Sequence, residues 1–200
     1  MKTIDTLIFD FGNVLLTWDP HLMLDKYFGD RDKASWFIEN ICTSEWNGEM
    51  DEGKPFKQGI AELSAKHPEW AHEIQLYFDR WIEMIGGQVE GMEALIKELK
   101  AQGFRTYGLT NWSLETFCQV RYEYPIFALM DGMVISAEER CLKPGPKIYQ
   151  ILLDRYHLRP EQCVFIDDRA ENVAGAEALG IRGIRFRSAA QLRKDLSDIL

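Results

Sequence analysis

The stretch FDFGNVLL, residues 9–16, is the part of the sequence from which the fold is best predicted. It overlaps an apolar run, TLIFDF (6–11), that is typical of a short buried strand, and Gly12-Asn13 interrupts that strand. Asp10 therefore lies at the end of the first predicted strand, directly before a glycine turn. An isolated aspartate in such a place is often only a turn former, so its role depends on the rest of the chain.

Beyond residue 87, predicted strands and helices alternate along the chain. Four further segments have the composition of buried strands: FRTYGLT (104–110), GMVIS (132–136), CVFID (163–167) and IRGIRF (181–186). The segments between them, such as PKIYQILLDRYH (146–157), have apolar residues at helical spacing. This alternation predicts an α/β fold with a mostly parallel sheet that is covered by helices on both faces.

Residues 17–86 follow a different, helical pattern. Apolar residues recur at helical spacing in four successive short segments, for example in WAHEIQLYFDRW (70–81). Four short amphipathic helices predict a small bundle, and the tryptophans of this region are interpreted as its core residues. The predicted organisation is a core formed by residues 1–16 and 87–200, with the bundle inserted between them. SEWNGEMDEG (44–53) is interpreted as a loop of this insertion.

The composition limits the partners that are expected. The chain has 200 residues, of which 46% are hydrophobic, so it can bury a sizeable core. A net charge of −9 argues against nucleic acid or an anionic membrane as the main partner, although a bound cation and a lysine still permit a small anionic substrate. No segment has the length of a membrane span. Four scattered cysteines predict reduced thiols in a cytoplasmic protein: Cys42, Cys118, Cys141 and Cys163. The protein is expected to be a monomer or a small homo-oligomer.

A set of polar residues is expected to meet at one edge of the sheet. In an open parallel sheet, ligands bind outside the carboxyl ends of the strands. Most of the candidates directly follow a predicted strand, and the others lie in loops or helix starts on the same side. The candidates are Asp10, Thr110, Asn111, Lys143, Asp167, Asp168 and Asn172. Each alone has an ordinary explanation as a turn or capping residue, but their order around a helical insertion favours a shared site.

The chemistry of this set favours phosphoryl transfer. Carboxylates that converge repel one another and need a cation, and an all-oxygen site suits Mg²⁺. Mg²⁺ neutralises a phosphoryl group and orients it for in-line attack. A carboxylate can then attack phosphorus and form an aspartyl-phosphate. A hydroxyl, an amide and a lysine would stabilise the equatorial oxygens.

Four segments in order resemble the motifs of the haloacid dehalogenase-like superfamily, most of whose members are Mg²⁺-dependent phosphatases: FDFGNVL, GLTN, LKPGPKIY and VFIDDRAENVAGAEALG. The resemblance covers essentially the whole chain. It implies a Rossmann-like core with a helical-bundle cap inserted after the first motif. The D-x-G-N-V form of that motif is similar to a capped subgroup that includes glucose-1-phosphate phosphatase, which implies a small phosphorylated metabolite, in particular a sugar phosphate, as the substrate.

The resemblance also implies which residues bind the metal. Asp10 would be the nucleophile and a Mg²⁺ ligand, and the backbone carbonyl of Gly12 would be the second protein ligand. Asp168 would be the third, with Asp167 beside it and acting through water.

Further roles follow from the same resemblance. Thr110 and Asn111 would bind the phosphoryl group, and Lys143 would bridge the nucleophile and the phosphoryl oxygens. Asp10, Lys143 and Thr110 would thus be the catalytic residues, and Asn172 would support the fourth motif. In the insertion, Trp46 and Glu49 are candidates for substrate selection, because a cap that closes over a site supplies specificity.

The first motif departs from the family pattern at Gly12. The family's usual second aspartate protonates the leaving group and later activates water, and such proton transfer is typically worth about 10²–10⁴-fold in rate. A phosphatase could tolerate Gly12 if its leaving group is weakly basic, as an anomeric oxygen is. Asp19 could be a substitute acid, but Asp19-Pro20 is more simply explained as a helix start.

Two alternatives remain open. A 2-haloacid dehalogenase would need no proton for its leaving halide, but such enzymes use no metal, and the acid pair Asp167-Asp168 then has no cation beside it. A non-catalytic protein that binds a phosphorylated metabolite could also have lost the acid at residue 12. The presence of every other motif residue argues against that second alternative.

Overall fold

The computed structural model describes residues 4–200. Within this range the chain forms seven strands: β1 (Thr6–Phe9), β2 (Leu16–Trp18), β3 (Ile85–Gln88), β4 (Arg105–Thr110), β5 (Gly132–Ile135), β6 (Cys163–Asp167) and β7 (Arg182–Arg185). The same range contains eleven α-helices: α1 (His21–Phe28), α2 (Arg31–Asn40), α3 (Ser44–Asp51), α4 (Phe56–Lys66), α5 (Ala71–Asp79), α6 (Met92–Ala101), α7 (Leu114–Val120), α8 (Ser136–Glu139), α9 (Pro146–Arg155), α10 (Ala170–Glu177) and α11 (Ala189–Ser197).

Strands β1, β4, β5, β6 and β7 form one parallel sheet in the order β5-β4-β1-β6-β7. Strand β1 is central, and its last residue, Phe9, lies opposite Gly108 of β4 and Ile166 of β6. The helices that connect these strands cover both faces of the sheet, as parallel connections require. The predicted α/β, Rossmann-like fold is therefore confirmed.

Strand β1 is buried at every position because both of its faces are covered. Leu7 and Phe9 belong to one apolar cluster, whereas Ile8, which points to the opposite face, belongs to a second. The first cluster continues without a break into the helices between β2 and β3, where it includes Phe37 and Tyr77. One face of the sheet and those helices therefore share a single core.

The helices between β2 and β3, hereafter the helical segment (residues 21–84), are framed by a short antiparallel strand pair. Leu16 lies opposite Gln88, and Trp18 lies opposite Ile85. The predicted boundaries after residues 16 and 86 fall inside this strand pair, which the sequence pattern did not reveal.

The interpretation of residues 44–53 as a loop is wrong. Residues Ser44–Asp51 form helix α3, whose start is capped by the Thr43 side chain, which accepts a hydrogen bond from the backbone N–H of Trp46. The glycine and the acidic residues of this stretch do not prevent a helix, because Trp46 and Met50 bury one side of it. Between residues 4 and 200, no helix combines the length and the apolar character that crossing a bilayer requires.

Candidate active site

Three strand ends bring polar side chains together at the carboxyl edge of the sheet. Asp10 directly follows β1, and its backbone N–H donates to the carbonyl of Ile166 (2.9 Å), which extends the pairing of β1 with β6 by one residue. Thr110 ends β4 and Asp167 ends β6. All three side chains are buried, because β1 lies between the other two strands in the centre of the sheet.

Lys143 joins two of these carboxylates. Its Nζ lies 2.8 Å from Oδ1 of Asp10 and 2.7 Å from Oδ2 of Asp167, and its side chain is only 1% exposed. Burial acts to lower the pKa of Lys143, but Asp10 and Asp167 outweigh this effect and raise it. The lysine is therefore a fixed positive charge between two buried acids.

Asn111 holds Lys143 in place through its side-chain amide. The Asn111 Oδ1 accepts from the backbone N–H of Lys143 (2.9 Å), and its Nδ2 donates to the Lys143 carbonyl (3.0 Å). The sequence predicted that Asn111 binds the phosphoryl group. In the structure, its side chain fixes the loop between α8 and α9 that carries Lys143. Phosphoryl binding by Asn111 stays a prediction.

Asp167 is held by donors on both of its oxygens. Asn172 Nδ2 lies 3.0 Å from each oxygen, the backbone N–H of Arg169 donates to Oδ1 (2.8 Å), and Lys143 reaches Oδ2. Asn172 is fixed in turn, because its carbonyl accepts from the Tyr149 hydroxyl (2.8 Å). Asp167 is therefore well suited to position Lys143, and Asn172 has the supporting place that the sequence predicted.

The three acids form a cluster whose chemistry fits a hard cation. Carboxylate oxygens of Asp10, Asp167 and Asp168 lie within 4.8 Å of one another. Burial raises the pKa of Asp10 to about 7, with Lys143 opposing the rise and Asp167 adding to it. Burial and the Asp167 charge also raise the pKa of the half-buried Asp168. A divalent cation among these oxygens would lower the pKa of both Asp10 and Asp168, so the donor set fits Mg²⁺.

Gly12, two residues after Asp10, has open space around it. A Cβ atom at this position would meet no atom within 4 Å apart from those of its two chain neighbours. The turn is closed by Asn13, which has a left-handed backbone conformation (φ 55°) and accepts from the backbone N–H of Trp18 through its side chain. The backbone does not itself demand glycine at residue 12, because its φ lies outside the left-handed region.

Two residues proposed for substrate selection, Trp46 and Glu49, lie on helix α3 of the helical segment. Trp46 packs in the core of the helical segment against Phe56 and Tyr77, and its indole N–H donates to the Gly59 carbonyl (3.2 Å). Most of the Trp46 side chain is thus used in this core, and its contact with a substrate stays a prediction. Glu49 is exposed and pairs with Lys54 at the surface of the helical segment.

Asp19 acts as a helix-start residue. Its Oδ1 accepts from the backbone N–H of His21, the first residue of α1 (2.9 Å), which supports the simpler of the two interpretations. The sequence analysis did not identify Asp51, whose Oδ1 accepts a hydrogen bond from the backbone N–H of Ser113, 62 residues further along the chain (3.0 Å). Neither periodicity nor motif spacing could have indicated a contact of that separation.

A parallel α/β sheet with buried acids and a lysine at its carboxyl edge defines a Rossmann-like protein with a candidate active site at the strand ends. Among families of that class, the model of the haloacid dehalogenase-like hydrolases matches residues 4–180. The chain belongs to this family and is a hydrolase.

Three relatives illustrate the range of similarity. The chain is 28% identical over 198 residues to the sesquiterpene phosphatase astK of Aspergillus oryzae, covering 99% of this chain and 97% of that protein. It is 21% identical over 209 residues to the D-ribitol-5-phosphate phosphatase of Bacteroides thetaiotaomicron, with 98% of each covered. A crystal structure of a family enzyme from Bacteroides thetaiotaomicron, in complex with magnesium and inorganic phosphate, has the same fold (TM-score 0.68, 19% identity, 92% and 95% covered).

Proposed function

We propose that this protein is a Mg²⁺-dependent phosphatase that hydrolyses a small phosphorylated metabolite, in particular a sugar phosphate. The observation that carries the proposal is the Lys143 bridge between Asp10 and Asp167, with Asp168 beside them at the strand ends. Both full-length relatives named above are phosphatases, which supports the same reaction here.

Asp10 is the nucleophile in this proposal. One of its oxygens attacks phosphorus, the bond between phosphorus and the ester oxygen breaks, and an aspartyl-phosphate forms. Lys143 and Thr110 stabilise the equatorial oxygens while charge shifts to the leaving group. Water then hydrolyses the aspartyl-phosphate, which regenerates Asp10 and releases inorganic phosphate.

The residues that would hold Mg²⁺ are Asp10, Asp168 and the carbonyl of Gly12, with Asp167 adjacent. When bound, the ion neutralises the phosphoryl group and keeps Asp10 ionised at neutral pH. Asp167, with its oxygens already engaged, orients Lys143 more than it binds the ion.

The absence of an acidic side chain at residue 12 affects which substrates are favoured. Residue 12 supplies no acid, so the leaving oxygen takes its proton from water or from the substrate itself. Esters with a weakly basic leaving oxygen, such as an anomeric sugar phosphate, are therefore favoured over simple alkyl phosphates.

The cellular setting and the role of the helical segment are also proposals. We propose that the helical segment serves as the cap that selects the substrate, because it joins the sheet through β2 and β3 immediately after the Gly12 turn. The four cysteines are free thiols, which supports a cytoplasmic protein. A monomer or a small homo-oligomer is expected.

The test is phosphate release from a panel of esters, with Mg²⁺ and with a chelator. The panel contains an anomeric sugar phosphate, a terminal sugar phosphate, an isoprenoid phosphate and an aryl phosphate. Asp10→Asn is expected to abolish release, whereas Asp19→Asn, which retains a capping side chain, is expected to leave it unchanged. Preference for the isoprenoid or aryl ester would contradict the sugar-phosphate proposal. Metal-independent halide release from 2-chloropropionate would favour a dehalogenase, and binding without turnover would favour a non-catalytic protein.

A further inference from the structure

Asp51, the last residue of α3, connects the helical segment to the loop that follows β4. Its Oδ1 accepts from the backbone N–H of Ser113 (3.0 Å), and its Oδ2 accepts from Asn47 Nδ2 (3.0 Å). Its backbone carbonyl accepts from the Ser136 hydroxyl, and that hydroxyl oxygen accepts from the backbone N–H of Trp112 (2.9 Å). Asp51 therefore engages two consecutive backbone N–H groups of this loop, one directly and one through Ser136.

The loop held in this way leads straight to the candidate active site. Trp112 and Ser113 follow Asn111, whose side chain holds the backbone of Lys143. Lys143 in turn contacts Asp10 and Asp167. Hydrogen bonds, linked by the backbone of residues 111–113 and by the Lys143 side chain, thus connect a carboxylate of the helical segment to the proposed nucleophile.

We propose that Asp51 is a positioning residue that holds loop 111–113 in the geometry needed for phosphoryl transfer. This inference rests on the proposed function of the site. It assigns to the helical segment a part in organising the phosphoryl site that is separate from substrate contact.

Replacement of Asp51 by asparagine can distinguish a residue that positions the loop from one that only stabilises the fold. Burial raises the pKa of Asp51 to about 7, so its ionised form is disfavoured in the folded protein. An asparagine would accept the same hydrogen bond from Ser113 without that cost. A charged acceptor, however, makes a stronger hydrogen bond to a backbone N–H than a neutral one does. If the group serves activity, removal of its charge should impair turnover without impairing folding.

A second contact between the same two parts of the molecule provides a matched control. The backbone N–H of Phe56, in the helical segment, donates to Oε1 of Glu115 at the start of α7 (2.8 Å). This contact also joins a carboxylate to a backbone N–H, but it does not involve loop 111–113. Glu115→Gln should therefore weaken a comparable connection and leave the loop in place.

The experiment compares wild type, Asp51→Asn, Asp51→Ala and Glu115→Gln at pH 8. For each, kcat and KM are measured on the best ester of the panel with Mg²⁺, together with Tm and amide hydrogen exchange of residues 112 and 113. For Asp51→Asn we expect kcat to fall about tenfold, while KM changes about twofold at most and Tm does not fall. Asp51→Ala should also accelerate exchange of the Ser113 amide, whose acceptor is the Asp51 side chain, and Glu115→Gln should leave kcat and exchange unchanged.

The outcomes separate the inference from the proposed function. An Asp51→Asn variant with the kcat of wild type would overturn the inference. So would a fall in kcat that is matched by Glu115→Gln, or unchanged exchange of the Ser113 amide in Asp51→Ala. A wild type that releases no phosphate from any ester would overturn the proposed function, and amide exchange alone would then decide whether Asp51 holds the loop.

Discussion

Among single residues, the most important for the candidate site is Lys143, a buried cation between two buried acids. Lys143 is almost fully enclosed, and its ammonium group is within hydrogen-bonding distance of both Asp10 and Asp167. Such an arrangement is sensitive to the loss of one member, because the charges left behind are buried without compensation.

Replacement of Lys143 should therefore affect both folding and activity. Lys143→Met, measured by urea unfolding without metal at pH 8, is expected to lower the free energy of unfolding by about 3 kcal/mol and to abolish phosphate release. Lys97→Met, which removes an exposed lysine paired with Glu93 on α6, should leave both quantities nearly unchanged. Equal effects of the two substitutions would contradict the role given to Lys143.

A second prediction at this scale concerns Gly12. Because a side chain at residue 12 meets open space, Gly12→Asp should fold normally and place a carboxyl group next to Asp10. We expect this variant to raise kcat on a simple alkyl phosphate relative to an aryl phosphate by about tenfold or more. Gly12→Asn fills the same space without an acid and serves as the control. If Asn and Asp variants give the same ratio of rates, the missing acid does not limit the reaction.

Among the secondary-structure elements, helix α3 places Asp51 at the interface between the helical segment and the loop that follows β4. Burial raises the pKa of Tyr77 in the helical segment, and the nearby Asp51 charge adds to this rise. Tyr77 therefore stays neutral through the range in which Asp51 titrates, and the pH response of this pair belongs to Asp51.

The sign of that response follows from the direction of the shift. The pKa of Asp51 rises from 3.8 to about 7 on folding, so the folded protein binds the proton more tightly than the unfolded chain. Its contribution to stability is full below about pH 4 and is lost as the pH rises through about 7. In urea unfolding at pH 5 and pH 8, Asp51→Asn should reduce the loss of stability between the two pH values by on the order of 2–4 kcal/mol. An unaltered loss would show that Asp51 titrates normally in the folded protein.

At the scale of the whole molecule, one apolar cluster joins the helical segment to a face of the sheet. Because the two parts share a core, we expect them to unfold together. Tryptophan fluorescence reports mainly on the helical segment, which contains Trp36, Trp46, Trp70 and Trp81, whereas activity reports on the sheet edge. Both should show the same midpoint in urea. A fluorescence transition that precedes the loss of activity would contradict a shared core.

The sequence was sufficient to predict the parallel sheet and the residues that meet at its edge. Buried strands such as β1 and β6 are apolar on successive residues, and glycine or acidic residues mark where they end. It was not sufficient for α3, whose polar composition conceals a buried side formed by Trp46 and Met50. The sequence also did not predict which side chains contact one another. Asn111 and Lys143, for example, are 32 residues apart, and only the fold brings them together.

The proposed reaction requires Asp10 to form a covalent bond to phosphorus. This bond can be trapped by an acid quench during the first turnover with Mg²⁺ and the best ester, followed by borohydride reduction and peptide mass spectrometry. Because an aspartyl-phosphate is reduced to homoserine, we expect homoserine at position 10 only when both substrate and Mg²⁺ are present. Phosphate release without any modification of Asp10 would exclude Asp10 as the nucleophile and would indicate direct attack by water.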